Sequence, residues 1–106
     1  PFPYQGNTTS IESIWMGVPV IVLKGDRYLS HFGESINSNL NMNDWIARNY
    51  NEYISKAIKF SSDYDYLSKL RMSLREKVLK SPIFDASLFG KNFNDVLWSM
   101  WKKFEN

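Results

Sequence analysis

The sequence predicts an α/β fold that is mostly helical, with one or two short parallel strands. Three observations carry this prediction. Residues 1–23, PFPYQGNTTSIESIWMGVPVIVL, read as a tight turn, a helix N-terminus and a buried strand in that order. Val20 to Leu23 form a continuous apolar run, the pattern of a strand inside a parallel sheet, introduced by Pro19, which is tolerated where a strand begins. From residue 26 onward, apolar residues recur at helical rather than alternating spacing.

In the first segment, Gly6 permits the sharp backbone turn, and an Ile11, Ile14, Trp15, Val18 stripe is expected to face the core. Thr8 and Thr9 offer hydroxyls at the first turn of the helix, where unpaired amides point outward toward anions. Two readings of this start stand side by side. In one, Thr9 opens a T-x-x-E capping box with Glu12, which only satisfies backbone donors and stabilises the helix by about 1 kcal/mol. In the other, the turn holds a phosphate. The doubled threonine leaves one hydroxyl free when the other caps, and Glu12 shares the helical face of both, where its carboxylate can meet a diol such as a ribose.

The remaining elements follow from caps and stripes. Asp26 can cap a helix from about Arg27 to Leu40, whose Leu29, Phe32, Gly33, Ile36 and Leu40 face inward. Asn43 and Asp44 open a short turn through Trp45, Ile46 and Ala47. A third helix runs from Asn51 to about Phe60 with Tyr53, Ile54, Ala57 and Ile58 buried. Asp63 caps a fourth that carries Leu67, Leu70, Leu74 and Val78 and stops before Pro82, because the residue preceding proline disfavours helical backbone. The last helix, about Ala86 to Phe104, aligns Phe89, Phe93, Leu97, Met100, Trp101 and Phe104 on one long apolar face, expected to serve packing or docking rather than stacking of a ligand.

Length, charge and composition narrow the function classes. The 106 residues form one unit at most, with enough apolar and aromatic content for a core. A net charge of +2 from 13 basic and 11 acidic residues is a mixed surface. Lys69, Arg71, Arg75, Lys77 and Lys80 cluster on one helix but Glu76 interrupts them, so a solvated face is expected rather than a nucleic-acid patch. His31 has no second His or Cys at ligand spacing, so no metal site is expected, and the absence of cysteine excludes disulfides and a thiol nucleophile. With no signal peptide, lipidation signal or 18-residue apolar run, the expectation is a soluble cytoplasmic protein without membrane association. The abundance of Asn, Lys, Ile and Ser suits a bacterium with an AT-rich genome.

The opening block, PFPYQGNTTSIESIWMGVPVIVLKGDR, resembles the nucleotide-sugar segment of the O-linked N-acetylglucosamine transferases, including bacterial tetratricopeptide-linked members and plant SPINDLY-like relatives. The likeness continues through Gly25, Asp26, Arg27, Ser30 and Gly33, through Asp44, Ile46, Ala47 and Arg48, and through Ser81, Pro82, Asp85, Phe89, Met100 and Trp101. It departs at Asn7, where relatives often have His or Thr, and at His31, which replaces an Arg. The resemblance implies the C-terminal portion of a Rossmann-like GT-B lobe, the donor-binding part of an inverting enzyme that moves N-acetylglucosamine from a UDP-sugar to Ser or Thr hydroxyls of proteins. By the same resemblance, Gly6, Asn7, Thr8 and Thr9 contact the UDP diphosphate and Glu12 the ribose. No metal or other cofactor is implied besides the UDP-sugar substrate.

The family's phosphate-binding lysine, uracil contacts and acceptor contacts lie upstream of these residues, so no catalytic residue is assigned and the lone piece is expected to be inactive. In GT-B proteins the final helix commonly packs back on the other lobe, which leaves its apolar face uncovered here. A homo-oligomer through that helix or through the Val20 to Leu23 edge is therefore expected. A helical protein-interaction module derived from such an enzyme is the alternative.

Overall fold

The computed structural model describes residues 3–106; Pro1 and Phe2, which open the expected turn-helix-strand segment, lie outside the described residues. In chain order the elements are α1 (Thr8–Trp15), β1 (Val22–Leu23), a 3-10 turn (Tyr28–Ser30), α2 (Phe32–Asn39), a 3-10 turn (Asn43–Trp45), β2 (Ile46–Ala47), α3 (Tyr50–Ser62), α4 (Tyr64–Leu79), a 3-10 turn (Pro82–Phe84) and α5 (Ala86–Glu105). The two strands pair in parallel, Val22 with Ile46 and Leu23 with Ala47, and α2 makes the crossover between them.

Both strands are short for a local reason. The expected strand began at Val20, but the carbonyl of Val20 accepts a 2.9 Å hydrogen bond from Asn37 Nδ2, which also reaches the Trp45 carbonyl at 3.4 Å. The Asn37 amide, 1% exposed, thus sits between the two chain segments just before the ladder starts. Ile46 and Ala47, expected in a turn, form the second strand because β1 supplies them with backbone partners; the Lys24 amide extends the pairing to the Ala47 carbonyl at 2.8 Å.

The expected helix Arg27 to Leu40 is broken at His31, and Asp26 caps nothing. Ser30 is the cause. It is buried, its hydroxyl donates to the Pro3 carbonyl at 2.8 Å and its carbonyl accepts from the Gly25 amide at 3.2 Å, so this residue is tied to the chain terminus and the β1 exit. The later helices start where their caps dictate: Asn49 accepts from the Glu52 amide, Asp63 from Tyr66 and Asp85 from Leu88.

The core joins Ile14 of α1, Ile36 and Leu40 of α2, Met42, Trp45, Phe60 of α3, and Leu74 and Val78 of α4. Trp45 and Phe60 stack at 4.3 Å between centroids with planes 13° apart. Helix α3 meets β2 and α4 along one edge only, so Ala57 is half-buried and Phe60 buried while Tyr53, Ile54 and Ile58, expected inside, are exposed. Val18 and Leu29, also expected inside, are exposed: Val18 lies past the end of α1, and Leu29 sits in the 3-10 turn that precedes α2. Helix α5 packs chiefly against the Pro82–Phe84 turn and buries none of its residues. Among the described residues, no helix is long and apolar enough to cross a membrane.

Candidate functional site

The loop that feeds α1 is held by buried polar contacts. Gln5 is 2% exposed; its Nε2 donates to the Leu23 carbonyl at the end of β1, and its Oε1 accepts from the Gly33 amide of α2 at 2.6 Å. Ser30 holds the Pro3 carbonyl beside it, and Tyr4 meets Phe32 edge-on at 6.0 Å. Two glycines permit this closeness: a Cβ on Gly33 would stand 2.4 Å from Val22 Cγ1, and one on Gly6 would stand 2.6 Å from Ser10 Oγ. At Gly6 the close atom is only the Ser10 hydroxyl, whereas at Gly33 it is the branched side chain of Val22 in β1. A cavity of about 200 Å³ runs from Gln5, Gly6 and Ser10 along β1 to Tyr53.

The capping box is not formed. The helix begins at Thr8 with Asn7 as its N-cap, so Thr9 already has helical backbone and lies inside the first turn, where its hydroxyl does not reach the Glu12 amide. Asn7 makes no side-chain cap bond either. The amides of the first turn lack intrahelical partners by construction. Asn7, Thr8, Thr9 and Glu12 are all exposed and Gly6 is half-buried. The structure thus brings Gly6, Asn7, Thr8 and Thr9 together at one helix start, with Glu12 one turn further along α1, and leaves the two threonine hydroxyls uncommitted to the fold. Such an arrangement suits an anion set against amides and hydroxyls, at the carboxyl end of a parallel strand.

The other end of α1 is equally ordered. The Gly17 amide bonds the Ile14 carbonyl at 2.9 Å and the Val18 amide the Ser13 carbonyl at 2.9 Å, a Schellman closure that needs the left-handed backbone of Gly17 at φ 77°. From α4, Arg71 Nε donates to the Gly17 carbonyl and Arg75 Nε to the Trp15 carbonyl, each at 2.9 Å. Arg71 and Arg75 are solvent-exposed, as their spacing suggested, yet each gives one guanidinium N–H to the carboxyl end of α1. Beyond the strands, Glu34 accepts from His31 at 2.5 Å and pairs with Lys24 at 2.9 Å; these hydrogen bonds, that of His31 first, hold its carboxyl below the usual range. Among the described residues, no group of three or more His, Cys, Asp or Glu could hold a metal ion.

Gln5, Ser30, Arg71 and Arg75 escape a reading of the sequence because their partners lie 18 to 60 residues away. No local signal in the sequence marks them.

The model of the family described as Glycosyl transferase family 41 matches residues 3–93. The chain belongs to glycosyl transferase family 41. It is 41% identical over 97% of its length to the probable UDP-N-acetylglucosamine-peptide N-acetylglucosaminyltransferase SPINDLY of Solanum lycopersicum, and 36% identical over the same share to that of Arabidopsis thaliana. A mutant O-GlcNAc transferase of Thermobaculum terrenum has a matching solved structure, with TM-score 0.86 and 30% identity over 96% of this chain. The chain spans about 11% of the length of the two plant relatives and 20% of the solved chain. Its architecture, mostly helical with one parallel strand pair, is a portion of the Rossmann-like lobe in this family of GT-B enzymes.

Proposed function

We propose that this chain is the donor-binding part of an inverting glycosyltransferase that moves N-acetylglucosamine from a UDP-sugar to Ser or Thr hydroxyls of proteins. The observation that carries the reading is the uncommitted pair of hydroxyls, Thr8 and Thr9, at the start of a helix whose approach loop Gln5 pins to β1. The names of the plant relatives support the reaction, and the resemblance at Asn7, Thr8, Thr9 and Glu12 supports the roles.

In the proposed step, an acceptor hydroxyl oxygen bonds to the anomeric carbon as the bond from that carbon to the diphosphate oxygen breaks. The hydroxyl proton goes to a base outside this chain, and the electron pair leaves with UDP. What this chain contributes is charge stabilisation. First-turn amides of α1 and the threonine hydroxyls meet the diphosphate, whose negative charge grows as it leaves, and Glu12 orients the donor through ribose hydroxyls. No catalytic base, metal or other cofactor is assigned to these residues.

Calorimetry of UDP binding to the full-length protein tests this, with wild type compared with Thr9→Val and Glu12→Gln and with ADP, CDP and GDP as competitors. The expected result is a loss on the order of tenfold in UDP affinity for Thr9→Val, the scale of one hydrogen bond to a charged group. Unchanged affinity in both variants rejects the assignment. A second reading, a helical interaction module, draws on the exposed rings of α5; it predicts no nucleotide binding at all.

A further inference from the structure

We propose that Arg71 and Arg75 of α4 are positioning residues for the donor site, acting through the carboxyl end of α1. This rests on the donor-binding reading above and extends it to a surface outside the site. Helix α1 has only eight residues, about 12 Å of rod, so a tilt at one end is felt at the other. A diphosphate held by hydrogen bonds at the amino end tolerates displacements of a few tenths of an ångström.

The carboxyl end is where α1 is fixed against the rest of the fold. The Schellman closure satisfies the Ser13 and Ile14 carbonyls and leaves those of Trp15 and Gly17 pointing out. Each receives one guanidinium, Arg75 Nε on Trp15 and Arg71 Nε on Gly17. The Arg75 guanidinium also lies 5.0 Å over the Trp15 ring and reaches Met16 Sδ at 3.8 Å, so one side chain grips two successive residues. Trp15 in turn stacks on Phe84 at 5.3 Å. The backbones are close as well: a Cβ on Gly17 would stand 3.1 Å from the Arg71 carbonyl.

Arg71 and Arg75 stand four residues apart and so share one face of α4. Only a guanidinium can donate Nε–H to a carbonyl while its plane covers an indole. Both cations also sit at the negative end of the α1 macrodipole, leaving its positive end to the ligand. A purely structural role would lower stability and touch donor and acceptor alike. A positioning role is selective for the donor.

The test uses the full-length protein as wild type, Thr9→Val, Glu12→Gln, Arg75→Met, Arg75→Lys and the double variant Arg71→Met/Arg75→Met. UDP affinity is measured by calorimetry, and KM is measured separately for UDP-N-acetylglucosamine and for an acceptor peptide. In the double variant, UDP affinity falls and donor KM rises on the order of tenfold while acceptor KM stays at the wild-type value. Arg75→Lys falls between wild type and Arg75→Met, since an ammonium can still donate to the Trp15 carbonyl but cannot lay a plane over the indole.

A folded double variant with wild-type UDP affinity overturns the proposal, and so does a parallel rise of donor and acceptor KM. Should the double variant not fold, Arg75→Met alone is held to the same two criteria. Wild type that does not bind UDP, or Thr9→Val and Glu12→Gln that both bind it equally well, sinks the donor-site reading and the proposal with it. Wild type that binds and Met variants that bind equally well sink only the positioning role.

Discussion

A threonine at a helix start usually earns its place by capping, and Thr9 does not cap. That separates stability from binding at a single residue. Thr9→Val removes no hydrogen bond donated or accepted by its hydroxyl within the fold, so the thermal midpoint of the full-length protein stays within the small range of surface substitutions, below about 0.5 kcal/mol, while UDP affinity drops. Gln5→Leu does the reverse at the opposite face of the loop. It leaves the buried Gly33 amide without a partner, at a cost of about 1–3 kcal/mol, and removes a bond from the half-buried Leu23 carbonyl, read as a lowered midpoint in thermal or denaturant unfolding.

Glu34 gives a pH signature. Its carboxyl is held below the ordinary value of 4.5 by His31 and then Lys24, so its pairing stabilises the fold fully above that value and is lost as pH falls through 4.5 toward the lowered one. In Glu34→Gln the acid limb of a stability profile below pH 4.5 is expected to be shallower than in wild type. A superimposable acid limb would remove the pairing.

At the scale of elements, legibility followed the range of the forces. Helix α4 was readable because Asp63 and the Leu67, Leu70, Leu74, Val78 stripe are local, and α5 because its apolar residues repeat over 20 positions. The helix expected from Arg27 was not, since Ser30 answers to Pro3 and Gly25 rather than to its own turn. Neither was β2, whose two residues become a strand only when β1 is beside them. The hydroxyls and carboxylate of the site were legible as residue types. Their support from Gln5, Arg71 and Arg75 was not, because nothing in the local pattern links residues 28 to 60 positions apart.

Helix α5 carries its own prediction. Phe89, Phe93, Val96, Leu97, Met100, Trp101 and Phe104 are 48–81% exposed, an apolar stripe of a kind that drives association in water. The isolated chain is expected to self-associate, with a light-scattering mass that rises with concentration. A Phe93→Glu/Trp101→Glu variant should return it to monomer. A monodisperse wild-type monomer at high concentration would rule this out.

For the whole molecule, dimensions decide. The Cα radius of gyration is 16.4 Å and the extents are 56 × 30 × 19 Å, whereas a closed domain of this length has a radius of about 13 Å. The excess comes from α5, a rod of about 30 Å that buries nothing, and from a body built on a sheet of two strands. Parallel sheets normally have both faces covered and more strands than this, and a strand pair contributes little stability by itself. In the proposed assignment the chain supplies a phosphate-binding helix start and a ribose-binding carboxylate, with no base and no acceptor contact. On that account the isolated chain transfers no labelled sugar from UDP-N-acetylglucosamine to an acceptor peptide under conditions in which the full-length protein does. Its UDP affinity by calorimetry should be weaker by on the order of a hundredfold or more, because the lysine expected elsewhere in the lobe supplies a charge-assisted bond of about 1.5–3 kcal/mol and each uracil contact about 0.5–1.5 kcal/mol. Sugar transfer by the 106-residue chain alone would contradict the division of labour proposed here, since it would place the proton acceptor among residues to which none has been assigned.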